Sequence, residues 1–398
     1  MIFPFIHKFK KPLPESLIRL RKELKKKSQG SVKKSKLSPY ENELIRQIQS
    51  RTSQLNKNNV TRTKAYLYFF LRFPEIHWAF LGHMVSRNGG WNMTDLKGAL
   101  LSRLLTKKEA HAFFTFLERG NWLIFQDAFV QFLIYEESVK SRKALFHLLP
   151  YFGVSIFMET IWNDFWNSKD CYLLTMALVI NEQSYLESRV LNNPVFQEKV
   201  FNTLEFMLQD LLSMNHILFP FAADGHIKLT GQTLHHFENL HERILLGKRL
   251  YAVLFGNKDR LEAVKSWAMQ HPHTGSRKDY WPHLFSEIEN ELPGRRLNPR
   301  IRDCNLLPGS SKIYSPKLEF AWKDQLQKPA EAGDWYQSED VIHYLIKTNH
   351  NVDGEIKNDY CRTLERLELA AAAKEAFLFR NEGAAYSDDS RIVDRHLS

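Results

Sequence analysis

The side chains best suited to chemistry lie close together in the stretch HPHTGSRKDYW, which runs from His271 to Trp281. Imidazole, carboxylate and phenol groups can transfer protons, and a guanidinium beside them can hold an anion through paired N–H donors. The serine lacks the glycine-flanked elbow that marks a hydrolase nucleophile, so the pattern favours a binding surface over a catalytic centre. The candidate residues of this stretch are His273, Ser276, Arg277, Asp279 and Tyr280.

A purely structural role accounts for the same residues and is the simpler interpretation. In it, Arg277 pairs with Asp279, while Tyr280 and Trp281 fix the loop onto the core. Both interpretations stay open at the level of the sequence, because residue type alone does not show which side chains face solvent.

A second candidate stretch, VSRNGGWNMTDLKG, runs from Val85 to Gly98. Its asparagine and paired glycines are typical turn residues, so the sequence predicts a tight connection between two helices, the second capped by Asn92 or Thr94. A competing interpretation is an anion site made by Arg87 and the N–H groups at the start of the second helix. The GxxxxGKS/T pattern of a phosphate-binding loop is absent from the sequence. The candidate residues here are Arg87, Asn88 and Asp95.

Histidine spacing gives little support for a metal site. His235, His236 and His241 lie close together, and Glu238 with His241 has the ExxH spacing of di-iron helical bundles. Those bundles need two ExxH pairs and two further glutamates, whereas this sequence offers one pair. A solvated, histidine-rich helix face explains the cluster better, so we predict neither a metal site nor a cofactor.

The chain is basic because of its first 38 residues. They carry twelve lysines and arginines and two glutamates, whereas the other 360 residues hold 43 basic and 43 acidic side chains. An apolar tip precedes a short amphipathic basic helix. Such a segment can be a disordered solubilising tail, can lie on an anionic membrane or can bind nucleic acid, and its apolar tip favours membrane over nucleic acid. The predicted contact residues are Phe3, Phe5, Lys8, Lys10, Lys11, Arg19, Arg21, Lys22, Lys25, Lys26 and Lys27.

Helix signals recur along the rest of the chain. Ser38 and Glu41 form one capping box, and Thr106 and Glu109 form another before an apolar helix that Gly120 can close. No alternation of polar and apolar residues is long enough to predict a strand. We therefore predict a single all-α domain of about a dozen helices with a flexible basic N-terminal tail. The predicted segments are a basic, partly disordered tail with a short amphipathic helix over 1–36, the all-α domain over 37–380, and a polar, disordered tail over 381–398.

Apolar runs and cysteines bear on the cellular compartment. The longest uncharged apolar run, from Ala144 to Met158, contains a proline and is shorter than the ~20 residues of a membrane-spanning helix, so we predict no transmembrane segment. Cys171, Cys304 and Cys361 lie far apart and are odd in number. They predict no disulfide framework and a reducing, cytoplasmic location.

A resemblance to a known family rests on five stretches: NNVTRTKAYLYFF, PEIHWAFLGHMVSRNGGWNMTDLKG, LLGKRLYAVLF, HTGSRKDYWP and LERLELAAAAKEAFLF. Together they resemble the YppC-like family of uncharacterised Bacillus-type proteins, whose domain has no assigned function. The resemblance spans about residue 40 to residue 380, which implies a single unit, and leaves the basic segment outside. It supplies no catalytic residue, cofactor or substrate.

The sequence favours a non-enzymatic cytosolic protein that interacts with, or scaffolds, an unidentified protein partner. Its basic segment places it at the periphery of the inner membrane face. The alternative is an enzyme or an anion-binding protein that uses the 271–281 loop with Arg87 and Asp95. A pocket in which the two stretches converge, with inward-facing ionisable groups, would favour the alternative. Candidate residues scattered over the outer surface would favour the interaction protein.

Overall fold

The structure, a computed structural model of the 398-residue chain, describes residues 12–30, 36–191, 216–234, 237–290, 297–347 and 352–393. Side chains in the last range are described as far as residue 377. The described residues are mostly helical and contain three two-stranded sheets. None of their helices is both long enough and apolar enough to cross a membrane.

The predicted predominance of helix is confirmed. The α-helices of the described residues are α1 (Glu15–Gln29), α2 (Pro39–Leu55), α3 (Asn59–Arg72), α4 (His77–Asp95), α5 (Leu101–Leu104), α6 (Lys107–Ser141), α7 (Ile156–Ser168), α8 (Cys171–Leu186), α9 (Leu240–Phe255), α10 (Lys258–Gln270), α11 (Leu318–Ala321) and α12 (Lys357–Val393). Short 3-10 helices span Phe146–Phe152, Arg277–Asp279 and Glu339–Leu345, and a π-helical turn spans Glu187–Leu191.

Local capping explains where two of these helices begin. The Ser38 hydroxyl accepts the Glu41 N–H at 3.2 Å, and the Glu41 carboxylate accepts the Ser38 N–H at 2.8 Å. Thr106 and Glu109 make the same exchange, at 3.2 and 2.7 Å, at the start of α6. Both predicted capping boxes are confirmed, because each needs only residues that lie three apart in sequence.

Gly120 does not end α6, contrary to the prediction from sequence. The helix continues to Ser141 and ends where Arg142 adopts a left-handed φ of 55°. Among the described residues, a Cβ at Gly120 would meet only Leu186, at 3.7 Å, so an added methyl group would make an ordinary contact there. A glycine inside a helix costs only about 1 kcal/mol, which packing on either side of it overcomes.

A β-hairpin corrects the all-α prediction. Strands β1 (His216–Ala223) and β2 (His226–Thr233) pair antiparallel, with His216 opposite Thr233. Asp224 and Gly225 form the two-residue turn with φ of 53° and 74°, the backbone that an Asp-Gly hairpin turn requires. β1 is buried on both faces at its start, so its sequence HILFPFAA lacks the alternation that we required of a strand.

Two further strand pairs are only two residues long. Strand β3 (Phe285–Ser286) pairs in parallel with β6 (Ile313–Tyr314), and β4 (Ile301–Arg302) pairs antiparallel with β5 (Asn305–Leu306). They organise the long proline-containing connection that follows α10, and they place Ser315 beside the 271–281 loop.

The core surrounds α8. This helix packs against α4, α6, α7 and α9, and most of its residues are buried. Aromatic side chains fill the space between α3, α4 and α6, where the rings of Phe125 and Phe129 stack at 4.5 Å and Tyr66 packs edge-on to Trp78 at 5.4 Å. The helices that carry the candidate site therefore rest on a rigid apolar base.

The first helix is docked on the body, which corrects the prediction of a flexible tail for this part of the chain. Leu17, Leu20 and Leu24 of α1 are buried, and α1 packs against α7 and the 3-10 helix at Glu339–Leu345. The predicted amphipathic helix is thus confirmed, but its apolar face is covered by protein. Its ion pairs are Arg19 with Asp164 at 3.0 Å, Lys27 with Glu159 at 2.9 Å, and Arg21 with Asp340 at 3.8 Å.

A disulfide joins Cys304, in the turn between β4 and β5, to Cys361 near the start of α12. The two Cα atoms are 5.2 Å apart, although 57 residues separate them in sequence. The prediction of no disulfide was wrong, because it judged proximity from sequence spacing. Cys171 is free.

Helix α12 also holds this turn through carboxylates, and it runs on to Val393, past the predicted boundary at residue 380. Glu368 accepts the N–H groups of Arg300 at 2.7 Å and Ile301 at 3.0 Å, and Glu365 accepts the N–H of Asp303 at 2.7 Å. Side chains on one helix thus satisfy backbone donors that a non-repetitive loop leaves without partners.

Candidate functional site

The second candidate stretch is part of one continuous helix. Asn88, Gly89 and Gly90 lie inside α4, so the predicted turn is wrong. A Cβ on Gly90 would collide with Asn59 Oδ1 and His273 Nε2, and one on Gly89 would lie 3.2 Å from Asn121. These glycines allow close approach of neighbouring side chains rather than a change of chain direction.

The two candidate stretches converge at the end of this helix. Arg277 donates from Nε to Asp95 Oδ2 at 2.7 Å, and its Nη2 lies 2.6 Å from the same oxygen. Its Nη1 donates to the hydroxyls of Tyr280 and Tyr360, each at 2.8 Å. Nη2 also donates to Asn92 at 3.1 Å. The predicted pair between Arg277 and Asp279 is therefore wrong, and each nitrogen of this guanidinium has an internal partner.

The Arg277 guanidinium is charged. Burial disfavours the charged form, but Asp95, Tyr280 and Tyr360 together outweigh burial and raise the pKa of Arg277 well above its ordinary value. The gap beside this ion pair, between α4, α5 and α12, measures only about 30 Å³. That space suits about one water molecule and excludes a larger anion.

Asp279 has a separate set of partners. Its carboxylate accepts the N–H of Thr274 at 3.0 Å, the Thr274 hydroxyl at 2.6 Å and the Trp91 indole N–H at 3.3 Å. His273 Nδ1 lies 3.4 Å from Asp279, and its Nε2 lies 2.8 Å from Asn59 Oδ1. Burial lowers the pKa of His273. Its Nε2–H donates to Asn59 Oδ1, whereas Nδ1 is buried without a hydrogen-bond partner among the described residues.

Arg87 is buried without a carboxylate in direct contact. Its Nε donates to His83 Nε2 at 3.0 Å, its Nη2 donates to the carbonyls of Ala268 and His271, and the guanidinium lies 4.8 Å from the ring centre of Trp267. Burial lowers the pKa of Arg87 to about 10. Carbonyl dipoles and an aromatic ring thus stabilise the charge of Arg87. These contacts attach the end of α10 to α4.

The remaining candidates also have internal partners. Asn88 donates to the carbonyl of Leu218 at 2.9 Å and accepts the Leu218 N–H at 2.8 Å, which ties β1 to α4. Ser276 donates from its hydroxyl to the carbonyl of Ser315 at 2.6 Å. The structure therefore places the eight candidates in several separate sets of largely buried hydrogen bonds and ion pairs, of which the set around Arg277 and Asp95 joins the two stretches, rather than around one open site.

An open cleft lies beside these residues. It has a volume of about 560 Å³ and is bounded by the start of α3, by α6, by His273 and Thr274, and by residues 317–325. Trp322 forms part of its wall. The Trp322 ring stacks on Phe114 at 4.2 Å, and its indole N–H donates to the carbonyl of Met93 at 2.8 Å.

Glu118 lies at the cleft and is 3% exposed. Its Oε2 accepts a hydrogen bond from Arg62 Nη2 at 2.5 Å, whereas its buried Oε1 has no hydrogen-bond partner among the described residues. Burial raises the pKa of Glu118. The sequence patterns did not single out this residue, although its position four residues after Phe114 places a charge on the apolar face of α6.

The other predicted sites are the histidine cluster and the basic N-terminal segment. Among the described residues, no cluster of three or more histidine, cysteine, aspartate or glutamate side chains could hold a metal ion. His235 and His236 lie outside the described residues, and His241 Nδ1 lies 2.8 Å from the Tyr344 hydroxyl. Phe3, Phe5, Lys8, Lys10 and Lys11 of the proposed membrane contact also lie outside the described residues.

This mostly helical body, with its buried hydrogen bonds and ion pairs, belongs to a family that the sequence identifies. Residues 54–358 match the family model described as "Protein of unknown function (DUF2515)", so the chain is a member of that family. It is similar to the "Uncharacterized protein YppC" of Bacillus subtilis (strain 168), with 37% identity over 301 residues that cover 74% of this chain and 91% of the relative. No solved structure matches the chain significantly. The family match includes the cleft and the residues around Arg277 except Tyr360, and it leaves out α1.

Proposed function

We propose that this protein works by binding, without catalysis, and that it binds a small molecule in the cleft between α3, α6 and residues 317–325. The observation that carries the proposal is the cleft itself, whose volume of about 560 Å³ falls in the usual range of small-molecule sites, roughly 300–1,000 Å³. The walls combine the apolar side chains of Val60, Phe114, Leu318 and Trp322 with polar and charged groups, among them Glu118 and Thr274, which can fix the orientation of a ligand.

The state of the candidate catalytic groups supports binding over catalysis. A general base must reach the proton of a substrate, and a nucleophile needs an adjacent base. His273 Nε2 donates to Asn59, its Nδ1 is buried beside the Asp279 carboxylate, and Ser276 donates to a backbone carbonyl. An anion site on Arg87 and Asp95 has little support, since Asp95 pairs with Arg277 and Arg87 donates from Nε and Nη2 to protein groups. Arg87 Nη1 has no hydrogen-bond partner among the described residues, but it is buried.

Ligand binding can be tested with the Trp322 indole as a reporter. We expect members of a diverse fragment collection to shift the indole N–H resonance of Trp322 in ¹⁵N spectra. The resonance of Trp162, which is buried and donates to Gln131, should stay in place. Val60→Trp, which fills the cleft, should abolish the shifts, and Val139→Trp on the exposed face of α6 should not. No shift at Trp322, or shifts that persist in Val60→Trp, would refute the proposal.

A second proposed function is a peripheral contact of this protein with an anionic surface at the inner membrane face. Docking of α1 leaves Lys22, Lys25 and Lys26 exposed, while the leucines of the helix are buried. Contact through α1 would therefore be electrostatic, at about 1 kcal/mol for each cation near an anionic bilayer. A protein partner with an acidic surface would meet the same face.

Vesicle sedimentation tests this contact. Replacing all three lysines by glutamine should weaken binding to phosphatidylserine vesicles and reduce its dependence on salt. Replacing Lys107 and Lys108, which are exposed on α6, is the control and should change binding much less. Binding that is equal in the two variants would show that α1 is not the contact.

A further inference from the structure

We infer that the cleft selects an organic cation that carries N–H donors, and that Glu118 Oε1 is the atom that receives them. This inference rests on the proposed function, since it names the class of ligand for the same cleft. Three observations carry it: a buried carboxylate oxygen without a partner among the described residues, the distribution of charge around the cleft, and the position of the nearby arginine outside the cleft lining.

The first observation is the unequal use of the two Glu118 oxygens. Oε2 accepts from Arg62, and Oε1 is buried without a hydrogen-bond partner in the described part of the chain. Buried polar atoms in folded proteins nearly always have a partner, and a charged acceptor that lacks one is destabilising. A donor supplied from the cleft would complete the hydrogen bonding of this carboxylate.

The second observation is the sign of the charge. Asp324 adds negative potential at Glu118 and opposes ionisation of that carboxyl group. Glu319 and Asp324 line the cleft with Lys317 and Lys323, and Lys317 lies 3.6 Å from Glu287, which offsets part of its charge. With Arg62 counted beside Glu118, the three carboxylates and three cations around the cleft balance. The preference for a cation therefore comes from the unpartnered Oε1 atom, which can only accept when ionised, and from the nearby Asp324 carboxylate.

The third observation is that Arg62, the arginine paired with Glu118, does not line the cleft and therefore does not present its charge to a ligand there. Its Nη1 donates to Asn56 at 3.3 Å, its Nη2 donates to Glu118, and its buried Nε has no hydrogen-bond partner in the described part of the chain. The ion pair between Arg62 and Glu118 is buried on both sides, with 1% and 4% of the two side chains exposed. The apolar surface of Phe114, Val60 and Leu318 would contact the body of the ligand. The geometry thus fits a cation with an apolar or aromatic body.

Three probes of nearly equal shape separate charge from hydrogen bonding: benzamidine, benzamide and benzoate. Titrations of the full chain, followed at the Trp322 indole resonance, should give the tightest Kd for benzamidine. We expect benzamide to bind at least about tenfold more weakly and benzoate more weakly still, because a charge-assisted hydrogen bond to a carboxylate exceeds a neutral one by about this factor.

Glu118→Gln should reduce benzamidine binding by at least about tenfold and leave benzamide binding nearly unchanged. The matched control is Glu137→Gln, on the same helix but paired with Lys140 on the surface. If Glu118→Gln does not fold, the order of the Kd values of the three probes for the unaltered protein still tests the preference for a cation.

The outcomes separate the inference from the proposed function. Equal binding of the three probes, tighter binding of benzoate, or benzamidine binding that survives Glu118→Gln would overturn the cation inference and leave the ligand cleft in place. The cation inference also fails, and the cleft proposal stands, if other fragments shift Trp322 and benzamidine does not. If no compound of any charge shifts Trp322, both the cleft proposal and the cation inference fail, and a water molecule is then the partner of Glu118.

Discussion

The Arg277 guanidinium and the Asp95 carboxylate, 182 residues apart in sequence, form an ion pair with Nε 2.7 Å from Oδ2. Only 6% of the arginine side chain and 16% of the aspartate side chain are exposed. This pair joins the last turn of α4 to the 3-10 helix at Arg277–Asp279. It therefore connects the two stretches that the sequence offered as a functional site.

Replacing Arg277 should lower stability sharply. Arg277→Met would leave the buried Asp95 carboxylate without its counter-charge, which typically costs about 3–5 kcal/mol of unfolding free energy. Urea denaturation followed by circular dichroism measures the loss. The control is Lys278→Met, since Lys278 is 45% exposed and lies 3.6 Å from Glu287. A loss below about 1 kcal/mol for Arg277→Met would contradict a structural role for this pair.

Two glycines inside helices should respond in opposite directions to alanine. A Cβ at Gly90 collides with Asn59 and His273, so Gly90→Ala should destabilise the protein by about 1–3 kcal/mol. In the described part of the chain, a Cβ at Gly120 meets only Leu186, at 3.7 Å, so Gly120→Ala should stabilise the protein by up to about 1 kcal/mol. Thermal unfolding of the two variants side by side gives the signs, and equal effects would show that the contacts at Gly90 are not tight.

These glycines also mark the limit of what the sequence could predict. The capping boxes at Ser38 and Thr106 were predictable because their partners lie three residues away. The role of Gly90 depends on His273, which lies far along the chain, and no local pattern reveals that contact. A glycine can form a turn, or it can allow a neighbouring side chain to approach the backbone closely. Tertiary contacts, which the local sequence does not show, decide which of the two applies.

The candidate site was predicted in part for the same reason. Residue types that form ion pairs and hydrogen bonds identified Arg277 and Asp95, and the fold does place them together. The sequence could not show that Tyr360 and Asn92 complete the shell of Arg277, and so it could not separate a buried network from an open site. Glu118 was hidden because a single charge in an apolar helix usually faces solvent.

Loss of the disulfide should be measurable under oxidising conditions. Cys304→Ser removes a cross-link that closes a loop of 57 residues, and cross-links of this span contribute about 2–4 kcal/mol. Guanidinium denaturation without reductant should show the loss. In dithiothreitol the variant and the unaltered protein should have nearly equal midpoints. Cys171→Ser is the control, since Cys171 is free. If the denaturation midpoint of the unaltered protein is the same with and without reductant, the cross-link is contradicted.

The contribution that one carboxyl group, buried between α6 and α8, makes to stability should fall as pH rises from about 4 to about 8. Burial raises the pKa of Asp127 from its ordinary value of 3.8 to about 7. The folded state therefore binds a proton that the unfolded state releases between these two values. The stabilising contribution is present below pH ~4 and is lost as pH rises through about 7, with an upper limit of about 4 kcal/mol.

Asp127→Asn isolates this contribution. The substituted amide keeps an oxygen that can accept hydrogen bonds from Gln131 and Asn181, which donate to Asp127 Oδ2 in the unaltered protein, and it cannot ionise. We expect the variant to be more stable than the unaltered protein at pH 8 and close to it at pH 4, as measured by urea denaturation across this range. Part of the slope should remain, because burial also raises the pKa of Glu182 to about 7. Asp259→Asn, on the exposed start of α10, should keep the full slope. If Asp127→Asn and Asp259→Asn show the same slope, Asp127 is ionised in the folded protein and its burial is compensated by its amide partners.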